Sequence, residues 1–428
     1  MNLLHLATTN EGGAGMVCTK SHELFLQRGY NSLLVVKESG KQKDHVVVFK
    51  KLPAPGSFLF RVSGWMQRIN QIYRKFFPFT VNPNYSFYGL SERKKHYSAK
   101  KILSKVPFKP DAILIYWVSE FINAKTIKDL ADMTGAKLCW FMTDNAPITG
   151  GCHYPWQCTG YQSDCSGCPG ILTPSKKNIP KKNLLFKKNN LPLHVELFVG
   201  SESDYRRATS SLLFKERKVR RIFAPVDEKK FVPGSQEMAR KHFGIEPGVK
   251  VIFYGASEFK YLRKGGKYFV DALGLLSQRL KKANIDKTGR VLLLIAGKDW
   301  QQYFSGVEFP LKDVGYLSED DLVKAFQASD FFVSPSLEDS GPAMVVQSIM
   351  CGTPVLAFGT GIALDIVRTG ETGYLAELFK TEDLASGLEY MLSLNEAESN
   401  QMRANCRKLA LSKFTLDIFY QTIVDSIK

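Results

Sequence analysis

Residues 337–358 read LEDSGPAMVVQSIMCGTPVLAF. Two carboxylates, Glu338 and Asp339, stand directly before Ser340-Gly341-Pro342, and a small-residue helix follows. Backbone N–H groups at a helix start attract phosphate, so Ser340 to Ala343 form a candidate anion cradle. Pro342 suits the first turn, where its missing N–H costs nothing. Asp339 and Gln347 are eight positions apart, slightly over two helical turns. A carboxylate at the loop can hold sugar hydroxyls, while a polar group further in can hold a ribose diol. The plainer reading is a helix N-cap supplied by Glu338 or Asp339.

A second cluster lies at Cys152, Cys158, Cys165 and Cys168, spaced C-x5-C-x6-C-x2-C, with His153 beside the first. The final C-x2-C suits a zinc knuckle. In a reducing compartment clustered cysteines favour metal over disulfides. A structural zinc, two disulfides and plain buried thiols are the three readings of this segment. The other cysteines (18, 139, 351 and 406) sit in apolar contexts and read as buried thiols. In NEGGAG (10–15), Gly12 and Gly13 let the backbone approach a ligand closely, while Gly15 reads as part of a tight strand-to-helix turn. The chain has no Asp-x-Asp pair, no His-Glu-x-x-His, no P-loop and no Gly-x-Ser-x-Gly.

These groups need elements to hold them. NLLHLA, EGGAG, a helical pattern through Phe25 and NSLLVVK make a β–α–β unit. Further strands are expected at HVVVFK, DAILIYW, KLCWFMT, ELFVGS and VRRIFAP. The pattern restarts with KVIFYGA, GRVLLLIAG, DFFVSPS and TPVLAF, separated by helices. Continuous apolar runs are the mark of strands buried on both faces. Ligands of such open sheets bind beyond the carboxyl ends of the strands, and the 337–358 stretch follows one such end. The expectation is α/β, two doubly wound Rossmann-like domains facing a cleft.

The chain has 428 residues, 44% of them apolar, and a formal charge of +17 from 58 basic and 41 acidic residues. The length argues for two domains. The charge favours a polyanionic or phosphorylated partner. No apolar run reaches bilayer length, and MNLLHLATTN reads as a first strand, so a cytoplasmic protein is expected. Phe58, Val62, Trp65, Ile69, Ile72 and Phe76 form a helical stripe flanked by Arg61, Arg68, Arg74 and Lys75. With the Lys-rich 176–188 segment it suits peripheral contact with an anionic membrane, or packing onto a sheet with the bases solvated.

Residues 330–358, DFFVSPSLEDSGPAMVVQSIMCGTPVLAF, resemble the donor-site signature of family-4 retaining glycosyltransferases with the GT-B fold. Aligned on Cys351-Gly352, the family's Glu-x7-Glu becomes Asp339 and Gln347, a departure at both positions. YGASEFKYLRKGGKYFVDAL (254–273) resembles the first strand, loop and helix of the donor domain. The resemblance assigns Arg263 or Lys264 to the donor diphosphate, whose charge grows as the C1–O bond breaks. In FGTGIALDIVRTGETGYLAE (358–377), Asp365 takes the place of the family's loop acid, and Gly370 and Gly373 read as turn residues. NEGGAG resembles the acceptor-domain glycine loop, with Gly12 and Gly13 as its phosphate or acceptor positions. Residues 140–171 resemble a branch that builds capsular and exopolysaccharides. Where many relatives have His-Asp, this chain has Thr143-Asp144, which leaves Asp144 to contact the sugar.

The implied organisation is an acceptor-binding domain at 1–225, a nucleotide-sugar domain at 226–408 and a final segment, 409–428, returning to the first domain. Asp144, Asp339 and Lys264 are the implied catalytic residues. Arg263, Lys264, Asp339, Ser340, Gly341 and Gln347 are the implied donor-binding set. The implied partners are a UDP- or GDP-sugar and a saccharide or lipid-linked acceptor. No cofactor is required for catalysis, and no nucleic-acid motif accompanies the charge. The rival readings are a GT-B sugar-nucleotide epimerase, an inactive transferase-like scaffold and a basic nucleic-acid-binding protein.

Overall fold

The apolar runs form strands whose side chains are buried on both faces, so every connection must cross a sheet face. The computed structural model describes residues 1–39, 44–51, 81–282 and 290–428. The chain divides into two units. The first comprises Met1–Gly200, Asp204–Ile222 and Tyr420–Lys428; the second comprises Ser201–Ser203 and Phe223–Phe419.

In the first unit the strands are β1 (Asn2–Thr9), β2 (Asn31–Ser39), β3 (Val46–Lys51), β4 (Ala112–Ile115), β5 (Lys137–Met142), β6 (Glu196–Val199) and β7 (Val219–Arg221). All pair in parallel, in the order β3-β2-β1-β4-β5-β6-β7. The second unit contains β8 (Lys250–Glu258), β9 (Val291–Lys298), β10 (Leu311–Gly315), β11 (Phe331–Ser334), β12 (Val355–Phe358) and β13 (Gly373–Ala376). These are also parallel, in the order β10-β9-β8-β11-β12-β13. Each unit is therefore doubly wound, as expected. In each, the strand order reverses at one place, between β1 and β4 and between β8 and β11. That reversal opens a crevice at the carboxyl ends of the two strands.

Two strands escape the apolar-run criterion. β10 is half exposed and carries Lys312 and Asp313, and β13 is a short edge strand. Gly373 opens β13, although its sequence context reads as a turn. A Cβ there would sit 1.8 Å from the Val355 carbonyl oxygen, so only glycine permits the pairing.

Helix ends show local sequence control. Asn123 caps helix Ala124–Thr134 by accepting the Thr126 N–H at 3.0 Å, and Gly135 closes it at φ 69°. The last helix, Leu416–Ile427, ends in the first unit, where the Tyr420 ring meets Phe25 and Tyr30. Arg28 lies over the same ring at 4.8 Å. The apolar stripe at 58–76 and its flanking bases lie outside the described residues. Among the described residues no helix is long and apolar enough to cross a membrane.

One buried group makes the first sheet sensitive to acid. His5, on β1, is 0% exposed and packs against His22, Phe25 and Tyr116. Its Nδ1 lies 3.2 Å from the Tyr116 hydroxyl. Burial, and secondarily the His22 ring, hold its pKa well below the ordinary histidine value. The unfolded chain therefore binds the proton that the folded chain refuses. Stability is complete above an unfolded-state pKa of about 6.5 and falls as pH drops below it. Urea melts at pH 7.5 and pH 5.5 are expected to give the lower midpoint at pH 5.5. His5→Gln is expected to narrow that gap.

Candidate active site

Strand β8 ends in the loop that carries Arg263 and Lys264, and β11 ends in the loop that carries Asp339. The two strands are neighbours, so both loops emerge on the same side of the switch point. They are fastened together. Leu337 N–H donates to the Arg263 carbonyl at 2.8 Å, with Glu338 N–H on the same oxygen at 3.4 Å. Gly265, at φ 68°, lies where a Cβ would stand 1.7 Å from the Pro335 oxygen. A third loop closes in at Gly361, whose Cβ would come within 2.3 Å of the Asp339 carbonyl oxygen. Nearby, Asp365 lies in the short helix Ala363–Ile366, and its Oδ2 accepts the Glu202 N–H at 3.0 Å.

This fastening brings three charges together. Lys264 Nζ lies 2.5 Å and Arg263 NH1 3.1 Å from Asp339 Oδ2. The side chains are 23%, 21% and 11% exposed respectively. Burial alone would raise the Asp339 pKa. The two cations outweigh it and hold the carboxyl below its ordinary range. Two cations thus converge beside this carboxylate, and paired cations suit a diphosphate.

Asp339 does not cap the following helix. Helix Ala343–Met350 has Pro342 as its N-cap residue, with no side-chain cap bond. Neither residue of the acidic pair therefore holds the N-cap position, and Pro342 stands one position before the first turn. Asp339 Oδ1 reaches only the Gly341 N–H, at 3.4 Å. Ser340 is 5% and Gln347 9% exposed. Gln347 belongs to helix Ala343–Met350, eight residues beyond Asp339.

The first unit holds a cavity of ≈ 240 Å³ beyond the carboxyl ends of β4 and β5, lined in part by Tyr88, Trp117, Ser119, Thr143 and Asp144. Asp144 is 7% exposed, and both its oxygens are engaged. Oδ2 lies 2.7 Å from His153 Nδ1, and Oδ1 accepts the Ala146 N–H at 2.9 Å. Deeper in the wall, Lys187 pairs with Glu92 at 2.5 Å and donates to the Ala146 and Thr149 carbonyls. Ser119, Glu92 and Lys187 were not legible as site residues. They come from segments far apart in the chain, and no local pattern marks them. His153 had a signal in its closeness to Asp144, but the adjacent cysteines favoured a metal reading.

Gly12 stands at φ 72°, and the space beside Gly12 and Gly13 is open, with nothing within 4 Å of a Cβ. Gly15 differs: its Cβ would lie 2.6 Å from the Asn10 carbonyl carbon, which confirms it as a packing glycine.

The structural-zinc expectation is not supported. Cys152, Cys158, Cys165 and Cys168 do line one small cavity. Yet among the described residues no group of three or more His, Cys, Asp or Glu side chains is disposed to hold a metal ion. Instead the Cys152 thiol donates to the Tyr154 carbonyl at 3.2 Å, and Cys158 Sγ accepts the Gly160 N–H at 3.4 Å. Burial raises the Cys152 and Cys168 thiols and pushes Cys165 up to about 12. All eight cysteines are free thiols.

Residues 235–409 contain Arg263, Lys264, Asp339 and the helix that follows. They match the family described as glycosyl transferases group 1. The second unit carries the group 1 glycosyl transferase pattern. The group 1 match covers less than half of the chain and ends within helix Glu396–Lys413. D-inositol 3-phosphate glycosyltransferase from Rhodococcus erythropolis is 25% identical over 231 residues, 51% of this chain and 49% of that protein. The enzyme of the same name from Paenarthrobacter aurescens is 29% identical over 170 residues, 38% of this chain and 40% of that protein. The matched regions thus span about half or less of these relatives. Sucrose-phosphate synthase from Thermosynechococcus elongatus superposes with TM-score 0.65 at 15% identity, over 99% of this chain and 98% of that one. Anabaena HepE in complex with UDP and glucose gives TM-score 0.61 at 14% identity, over 100% and 99%. At such identities the likeness establishes the fold, which is GT-B.

Gly265→Ala is expected to force the 261–265 and 335–339 loops apart, since neither the left-handed backbone nor the contact with Pro335 tolerates a methyl group. A lower melting temperature together with weakened UDP or GDP binding, read by calorimetry, is the expected outcome.

Proposed function

We propose that the protein is a glycosyltransferase that moves a sugar from a UDP- or GDP-sugar to a hydroxyl of a saccharide or lipid-linked acceptor, with retention of configuration. The observation that carries this reading is the convergence of Arg263, Lys264 and Asp339 at the switch point of the unit that matches group 1. In the reaction, the acceptor oxygen bonds to the anomeric carbon on the face from which the diphosphate departs, as the C1–O bond to the diphosphate breaks. The electron pair leaves with the phosphate, a phosphate oxygen takes the proton of the acceptor hydroxyl, and the fixed cations Arg263 and Lys264 stabilise the departing charge. Asp339 orients both cations before substrate arrives, and its carboxylate accepts hydrogen bonds from the sugar hydroxyls. Gln347 is assigned to the ribose, Ser340 and Gly341 to the phosphate, and the cavity beside Asp144 to the acceptor. Gly12 and Gly13 give that acceptor unhindered backbone. Positioning, rather than covalent chemistry, supplies the remainder of the rate.

A second reading of the acceptor rests on the curated relatives, which are named for D-inositol 3-phosphate. By that analogy the acceptor is a phosphorylated cyclitol and not a glycan. A panel of UDP- and GDP-sugars offered with oligosaccharide, lipid-linked and cyclitol phosphate acceptors separates the two. Proton NMR of the product gives its anomeric configuration.

Lys264→Ala is expected to lower turnover by about a hundredfold, the scale seen when one fixed charge-stabilising donor is removed. Stability should fall by no more than about 1 kcal/mol, because Arg263 stays beside Asp339 and the lysine is partly exposed. Wild-type turnover in this variant would remove Lys264 from the donor site.

A further inference from the structure

The end of strand β4 is tied to the end of β1. Thr8 N–H donates to the Trp117 carbonyl at 2.7 Å, and Thr8 Oγ1 donates to the Ser119 carbonyl at 2.8 Å. The next residue, Glu120, stands at φ 58°, and this left-handed turn swings the chain toward helix Ala124–Thr134. Ser119 is thus fixed on both sides, and it lines the cavity of the first unit. Its Oγ lies 3.4 Å from His153 Nε2. His153 is 1% exposed and lies behind the wall, so of the two it is Ser119 that a ligand in the cavity can touch.

The direction of the chain follows from charge. Asp144 is a hydrogen-bond acceptor when ionised, so the Nδ1 atom 2.7 Å away carries the proton. In the neutral ring Nε2 then holds a lone pair, and the Ser119 hydroxyl donates to it. With its only proton committed inward, Ser119 Oγ offers lone pairs alone to the cavity. Beside it the exposed Tyr88 ring stands edge-on to His153 and Trp117, at 4.6 and 4.9 Å. An oriented hydrogen-bond acceptor next to an exposed aromatic ring suits a polyhydroxylated ring, with one hydroxyl donating and its C–H face on the aromatic.

We infer that Ser119, oriented through His153 by Asp144, is the specificity-determining group that receives a hydrogen bond from a hydroxyl of a polyol ring bound in this cavity. This deepens the proposed function, since it rests on the acceptor occupying the first unit. His153 and Asp144 act through Ser119 and are positioning residues. The Glu92–Lys187 pair, Glu120, Lys94 and His96 also line the cavity, but no contact of theirs bears on the Ser119–His153 bond.

The test uses the full chain, with myo-inositol and a set of common monosaccharides as probes. Binding is followed by NMR, and the ¹⁵N shifts of His153, assigned with His153→Gln, report its tautomer at pH 8. The expected result is a bare Nε2, binding of at least one probe, and about tenfold weaker binding in Ser119→Ala, the scale of one lost hydrogen bond. Ser119→Thr, which keeps the hydroxyl, is expected to restore most of that affinity, whereas a packing role would not distinguish the variants in this way. A protonated Nε2 with bare Nδ1, no binding of any probe up to its solubility, or unchanged affinity in Ser119→Ala would overturn the inference. Polyol binding of the expected kind, without transfer from any nucleotide sugar, would support this inference and remove the proposed function. Transfer with Ser119→Ala binding as wild type would do the reverse.

Discussion

Parallel strands cannot be joined by tight turns, so each must be followed by a crossover, and right-handed crossovers must change sheet face where the strand order reverses. Much of this molecule follows from that constraint. It leaves one crevice per sheet, between β1 and β4 and between β8 and β11. The Asp339 loop lies at the second of these, while the cavity of the first unit lies one strand further on, beyond the ends of β4 and β5.

The two candidate sites are built differently. In the second unit the scaffold is backbone against backbone. Gly265 and Gly361 remove the side chains that would separate the loops, and the 337–338 amides lock onto the Arg263 carbonyl. Two cations and a carboxylate are thereby held at short range with little exposure. Their desolvation is repaid only because opposite charges meet. The first unit instead uses side chains. Asp144, His153 and Ser119 form one directed chain, while Lys187 spans Glu92 and two carbonyls in the wall. A cation cluster suits a diphosphate; a rigid chain ending in a hydroxyl beside an aromatic ring suits hydroxyls.

The cysteine segment shows how a spacing motif can mislead. C-x5-C-x6-C-x2-C does bring four thiols around one cavity, so the sequence spacing carries real information about proximity. It carries none about where each Sγ points. Turns at Trp156 and Cys165, both with φ near 55°, wrap the loop, and the thiols find backbone partners instead of a common centre.

From the sequence alone, the two doubly wound units were legible because strands buried on both faces must be written as unbroken apolar runs. The Asp339 loop was legible because it sits at the end of such a run. β10 and β13 were not, since an edge strand needs no apolar run. Arg263 and Lys264 were nominated by resemblance, but their contact with Asp339 depends on β8 and β11 being neighbours, a pairing no local pattern specifies. Likewise, Asp144 was visible while its partners were not. His153 and Ser119 reach it only when the β4 and β5 ends lie side by side. Burial is encoded locally, residue by residue, as hydrophobicity. Which side chain meets which is a long-range property, decided only when the sheet order brings distant loops together.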